Sequence, residues 1–233
     1  MHVIITGATR GIGKAIAAEF AKAGDTLFVC SRKESEVYAL MEEFLSAHAN
    51  CTIYGKDFDL SIREHAVAFG NWILDAGYTP DILVNNAGSY LPGNVSDEPE
   101  GFLEKMMAVN LYSAYHLTRC LLPKMKAAGK GHIFNICSVA SLDAYPDGGA
   151  YSISKFALDG FSKNLREELK TCQIKVTAVY PGATMSGSWS GANIDPERIM
   201  EASDVATMIY AAAHLSKQAC VEEILLRPQL GDL

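Results

Sequence analysis

No apolar run in this 233-residue chain approaches the roughly 20 residues needed to cross a bilayer, so no transmembrane helix is expected. The six cysteines, at 30, 51, 120, 137, 172 and 220, form neither a CxxC pair nor a cluster with metal-ligand spacing. Buried free thiols in a reducing compartment are expected, and no metal site. Positive charge is also scarce: 20 Lys and Arg against 27 Asp and Glu give a formal net charge of −7. Repulsion then opposes encounter with nucleic acid or an anionic membrane, although a local phosphate site is still permitted. No Pro/Gly-rich linker or doubled period divides the chain. A strand begins at once in the opening MHVIITG, so no signal peptide is expected ahead of it, and the chain reads as cytoplasmic.

Apolar residues make up 49% of the chain and glycine is frequent at 19, which fits a folded α/β protein rather than a disordered one. Short apolar runs of strand type fall at 2–6, 26–30, 52–56, 82–85, 132–136, 175–180 and 221–225. Helical patterns occupy 14–23, 34–47, 62–75, 102–114, 115–128, 151–170 and 202–215. This alternation predicts one domain over 1–233: a doubly wound, Rossmann-type α/β fold with a parallel sheet flanked by helices. Ligands in such folds bind beyond the carboxyl ends of the strands, so site residues are sought in those loops. The longest stretch without either pattern, 183–201, is expected to be a partly mobile loop that covers a substrate.

Between the first strand and helix lies Thr6-Gly7-Ala8-Thr9-Arg10-Gly11-Ile12-Gly13. Its glycines permit a tight turn and close approach of a dinucleotide phosphate, and the following helix offers unpaired N–H groups. The spacing is not GxGxxG, and the Lys and Ser/Thr of a P-loop are missing. Taken alone, the motif is also compatible with a plain turn. The second strand ends in Cys30-Ser31-Arg32-Lys33, without the acid that usually holds the ribose hydroxyls of NAD. Ser31, Arg32 and Arg10 instead suit the extra phosphate of NADP, which arginine can hold through two bonds. NADP(H) is therefore expected in preference to NAD(H). Two ordinary exposed arginines are the plainer alternative, and nearby Glu34 is a contrary sign.

After the third strand, Asp59 is placed to accept from an adenine amino group and Leu60 to pack on the ring; Asp59 or Ser61 could equally cap a helix. In Asn85-Asn86-Ala87-Gly88, small Ala87 and Gly88 let a cofactor pass close to the backbone while the amides tie loops together.

The chemistry points to the region after the fifth strand. Ser138 lies just beyond that strand, and Tyr151 and Lys155 stand four apart on one helical face. A nearby ammonium favours the phenolate of a tyrosine, so Tyr151 can exchange a proton with a substrate oxygen that Ser138 orients. A nicotinamide would supply or accept the hydride at carbon. Lys155 has a second possible task, holding the nicotinamide ribose. Asn110 follows an apolar run and reads either as a helix-packing amide or as the holder of a water that connects Lys155 to solvent.

These residues, in this order, resemble the short-chain dehydrogenase/reductase family over essentially the whole chain. The family's TGxxxGIG turn stands as Thr6, Gly7, Gly11, Ile12 and Gly13, and its NNAG as Asn85 to Gly88. Its asparagine and serine match Asn110 and Ser138, its YxxxK pair stands as Tyr151 and Lys155, and its Pro-Gly as Pro181-Gly182, followed by Thr184. The resemblance implies catalysis by Tyr151, substrate orientation by Ser138, cofactor binding by Lys155 and by the loop of Pro181, Gly182 and Thr184, and a water relay at Asn110. It also suggests a homodimer or homotetramer through the helices at 111–125 and 151–169, whose apolar residues are equally needed to cover the sheet.

The ending Val221-Glu222-Glu223-Ile224-Leu225-Leu226-Arg227-Pro228, with the tail Gly231-Asp232-Leu233, resembles the bacterial sepiapterin-reductase-like branch. A pterin side-chain ketone is one substrate this implies. Tyr145 and Trp189 could stack on a planar substrate or serve only as lid or core packing. A small secondary alcohol, keto acid or hydroxy acid fits the same catalytic residues. A catalytically idle dinucleotide-binding protein is a further alternative, but the presence of both Tyr151 and Lys155 favours an enzyme. An NADP(H) site makes carbonyl reduction the expected direction.

Overall fold

The computed structural model describes residues 1–186 and 195–232. Its strands are β1 (His2–Thr6), β2 (Thr26–Ser31), β3 (Thr52–Asp57), β4 (Ile82–Asn85), β5 (Gly131–Ile136), β6 (Ile174–Pro181) and β7 (Glu223–Leu226). They form one sheet in the order β3-β2-β1-β4-β5-β6-β7, and every pairing is parallel. The winding direction reverses between β1 and β4, where Ile5 pairs with Val84, and this reversal leaves a crevice at the carboxyl ends of the strands.

Successive strand residues point to opposite faces, so β1 sends Val3 and Ile5 to one core and Ile4 to the other. β2 does the same with Leu27 and Val29 against Phe28 and Cys30. The continuous apolar runs of the sequence thus feed two layers. The first is closed by α1 (Gly11–Lys22) through Ile16 and Phe20, α2 (Glu34–Ala47) through Leu40 and Phe44, and α7 (Ala202–Ala213) through Val205 and Ile209. The second is closed by α3 (Arg63–Asp75) through Phe69 and Ile73, α5 (Ser113–Ala128) through Leu117 and Leu121, and α6 (Gly149–Leu169) through Leu165 and Leu169.

Several elements depart from their sequence patterns. α1 starts at Gly11 because the glycine turn itself supplies the first helical turn, with extended Arg10 at its N-cap. The stretch read as two abutting helices is α4 (Phe102–Met107), a π-helical turn Ala108–Tyr112, and α5. Such a turn locally widens a helix, and this one carries buried Asn110. Neither Asp59 nor Ser61 caps α3, whose N-cap is Ile62. Asp59 instead accepts from the backbone N–H of Ser61 at 3.0 Å and its hydroxyl at 2.7 Å, closing a local turn.

The base of the 183–201 segment is pinned by a parallel bridge between Thr184 and Met200, with Met185 N donating to Met200 O at 2.8 Å. Pro196–Arg198 form a single 3₁₀ turn. Trp189 lies outside the described residues. Among the described residues no helix is long and apolar enough to cross a membrane. All six cysteines are free.

Candidate active site

The crevice holds a cleft of about 590 Å³. At one end, Gly7 (φ 63°) and Gly11 (φ 53°) adopt left-handed backbone that L side chains rarely take. A Cβ on Gly7 would press on Ala87 Cα at 3.1 Å, and one on Gly13 would run into Gly7 O and the Asn86 amide. Asn86 fastens the two loops. Its Nδ2 donates to Thr6 O at 2.9 Å and Gly7 O at 3.0 Å, while Thr6 Oγ1 accepts from the N–H groups of Asn86 and Ala87 at 2.9 and 2.8 Å. The result is a floor without projecting side chains at a helix N-terminus, which fits the pyrophosphate of a dinucleotide.

Next along the cleft come Thr9, Arg10, Ser31 and Arg32, both arginines being exposed. No acid stands at the end of β2 itself, but α2 brings one there. Glu36 reaches back from the first turn of α2, where its Oε2 accepts from Thr9 Oγ1 at 3.3 Å and Ser31 Oγ at 3.4 Å, and its Oε1 faces Lys33 Nζ at 2.9 Å. The hydrogen bond from Lys33, with those from the hydroxyls, holds the Glu36 carboxyl below the usual range. Glu34, the acid conspicuous in the sequence, does not line the cleft. Asp59 and Leu60 line the far wall. Burial works against ionisation of Asp59, but the Ser61 hydrogen bonds and the charge of Arg32 outweigh it and hold this carboxyl low.

At the other end, Ser138 caps a short 3₁₀ turn, Val139–Ser141. Its Oγ accepts from Ala140 N–H at 3.2 Å, and Ser141 Oγ accepts from Ser138 N–H at 3.2 Å. The hydroxyl so fixed lies in the cleft beside the Tyr151 phenol and favours its ionised form. Tyr151 and Lys155 share a face of α6, with Lys155 Nζ 5.9 Å from the Tyr151 ring centroid. Lys155 is buried and donates to Ile136 O at 2.7 Å.

Burial lowers the Lys155 pKa to about 8. Burial also raises that of Tyr151, outweighing the influence of Ser138. The ammonium effect read from the sequence is thus not the main influence on Tyr151 in this arrangement: the ammonium donates to the Ile136 carbonyl, and burial of the phenol acts in the opposite direction.

Asn110 lies behind the wall rather than on it, 1% exposed. Its Oδ1 accepts from Ser89 N–H at 2.8 Å, and its Nδ2 donates to Ser89 O at 3.0 Å and Ser154 Oγ at 2.8 Å. Ser154 in turn donates to Tyr151 O at 2.7 Å. The amide is thus committed to joining the loop after β4 to the turn of α6 that carries Tyr151, which leaves no side-chain donor for a relay water.

The other residues read from the sequence fall on this one cleft: Gly7, Thr9, Arg10, Gly11, Ile12 and Gly13; Ser31 and Arg32; Asp59 and Leu60; Asn86, Ala87 and Gly88; Ser138, Tyr145, Tyr151 and Lys155; Pro181, Gly182 and Thr184. Lining residues not named as site residues include Glu36, Tyr90, Asp143, Arg227 and Asp232. Tyr90 meets the Tyr151 ring edge-on, centroids 4.9 Å apart. Arg227, just past β7, pairs with Asp143 at 3.3 Å and with Asp232. Arg198 clamps the tail through Gly231 O at 2.8 Å and Asp232 O at 3.0 Å. Asp232 Oδ1 is buried without a hydrogen-bond partner among the described residues. Tyr90 stands two residues past Gly88, a signal available in the sequence; the others are assembled only by folding.

A doubly wound sheet whose glycine-floored cleft ends at a serine, a tyrosine and a lysine defines a class, and the model of the short chain dehydrogenase family matches residues 1–196. The chain belongs to that family, and with it to the oxidoreductases. It is 32% identical over 240 aligned residues to the sepiapterin reductase of Chlorobaculum tepidum, with 99% of this chain and 97% of that protein covered. Among solved structures, a metagenomic short-chain oxidoreductase in complex with NADP is 32% identical, with TM-score 0.85 over 98% of this chain and 97% of that one. A short-chain dehydrogenase from Sphingobium yanoikuyae in complex with NADPH is 25% identical, with TM-score 0.84 over 95% and 87%.

Proposed function

We propose that this protein is an NADP(H)-dependent carbonyl reductase in which Tyr151 is the general acid. The observation that carries the proposal is the convergence of Ser138, Tyr151 and Lys155 at one end of a cleft whose other end carries Arg10 and Arg32. When bound, the nicotinamide supplies the hydride. Ser138 and Tyr151 together hold the carbonyl oxygen, and Tyr151 protonates it as charge develops there. Lys155 sits where it can hold the ribose hydroxyls. Asn110 is a positioning residue. The loop of Pro181, Gly182 and Thr184 closes the nicotinamide side.

A pterin side-chain ketone is the substrate class best supported. Tyr90 and Tyr145 provide aromatic surface beside Tyr151, which suits a planar heterocycle. Arg227, the cation on this side, is already paired with Asp143 and Asp232, so a hydroxy-acid carboxylate would have to displace one of them. The full-length likeness to a sepiapterin reductase points the same way. The exposed Tyr112, Ile153 and Phe156 on the helices beside the site support a homodimer or homotetramer. An NADPH oxidation screen over pterin ketones, diketones, quinones, ketoses and keto acids tests the proposal. Turnover of pterin ketones above the rest is expected, and NADPH binding without turnover of any carbonyl would overturn it.

A further inference from the structure

We infer that Glu36 is the residue that sets discrimination between the two nicotinamide dinucleotides, by occupying the pocket for the substituent on the adenosine ribose. The inference rests on the cofactor reading above and adds a residue to it. Three groups converge on this carboxylate: Thr9 from the glycine turn, Ser31 from the end of β2 and Lys33 from the N-cap of α2, at 3.3, 3.4 and 2.9 Å. Thr9 and Ser31 flank the cleft where it passes between the first two strands, which is where the second strand of a doubly wound fold presents its ribose-binding residue.

The two possible occupants meet Glu36 differently. An unphosphorylated ribose offers hydroxyl donors, which a carboxylate accepts well. A 2′-phosphate brings negative charge and only acceptors, so it must push Glu36 aside and take over Lys33, Thr9 and Ser31. The hydroxyls and the ammonium can then serve the phosphate, with Arg10 and Arg32 beside them. Glu36 thus lowers a preference for the phosphorylated dinucleotide that the surrounding cations would otherwise make strong. The carboxylate is fixed by side chains rather than by burial, being 37% exposed, so its removal leaves the fold intact.

The test is the dissociation constant of NADPH and of NADH, each measured by fluorescence at fixed ionic strength, for the unaltered protein, Glu36→Gln and Glu34→Gln. Glu34→Gln removes the same charge from the first turn of α2 but lies off the cleft, which controls for long-range electrostatics. Glu36→Gln is expected to tighten NADPH and weaken NADH so that their affinity ratio moves by roughly tenfold or more, the size of one lost close charge interaction. Glu34→Gln should move it less than about twofold, since exposed charges are screened by salt. An equal shift in both variants, or none in Glu36→Gln, overturns the inference while leaving the functional reading in place. Failure of the unaltered protein to bind either dinucleotide overturns both.

Discussion

Asn110 donates a 2.8 Å hydrogen bond to Ser154, the neighbour of Lys155 and one turn of α6 past Tyr151, while its Oδ1 accepts from the backbone N–H of Ser89 in the loop after β4. One buried amide therefore sets the distance between the two walls of the catalytic end. Asn110→Leu keeps the volume but leaves the Ser89 and Ser154 groups without partners. A loss of about 1–3 kcal/mol in urea unfolding is expected, the cost of stranding buried polar groups. Turnover should fall further than NADPH affinity, because the displaced turn carries Tyr151.

Gly88 faces the same region: a Cβ there would lie 3.3 Å from Asn110 Oδ1 and 3.6 Å from Lys155 Nζ. Gly88→Val should weaken NADPH binding by roughly tenfold or more, as expected when a group intrudes on a close-packed contact. Titration by fluorescence reads this directly, and unchanged affinity would remove the cofactor from this wall.

Lys155 gives the site its pH dependence. With its pKa lowered by burial to about 8, the ammonium is present below that pH and is lost as pH rises through it. Reduction, measured as kcat/KM, should therefore decline above about pH 8. Stability moves the other way. The ordinary value is 10.5, so between about pH 8 and 10.5 the unfolded chain keeps a proton that the folded one has released. The burial penalty is relieved across that window, and stability from this residue rises with pH. Burial raises the pKa of Cys30 and Cys137 and pulls the other way at high pH, so the comparison is between proteins: from pH 7 to pH 10 the unaltered protein should gain more stability, or lose less, than Lys155→Met in urea unfolding.

Alternating strand and helix patterns made the doubly wound sheet legible, because a strand buried on both faces is a continuous apolar run and its helices carry a 3.6-residue stripe. Gly7, Gly13 and Asn86 were legible for the same reason: each is demanded by backbone geometry, which is local. Glu36 was not. It lies one helical turn past the strand end, and only the fold of that turn brings it onto Thr9 and Ser31. Asp232 and Arg227 join the cleft because β7 pairs with β6, a contact between segments far apart in the chain. The burial that acts on the Tyr151 phenol was not legible, because sequence spacing shows the nearby lysine but not the desolvation. The π-turn at Asn110 was invisible too, since its apolar periodicity is that of an ordinary helix.

The central claim is that Tyr151 delivers the proton and Ser138 aligns the oxygen, with dinucleotide binding left to the rest of the cleft. Tyr151→Phe removes one hydroxyl at a position whose ring contacts with Tyr90 are kept. With the best carbonyl substrate of the screen, kcat should drop by about 10²–10⁴, the usual contribution of a general acid, while the NADPH dissociation constant stays within about threefold. Full turnover in Tyr151→Phe, with NADPH still bound, would contradict the account.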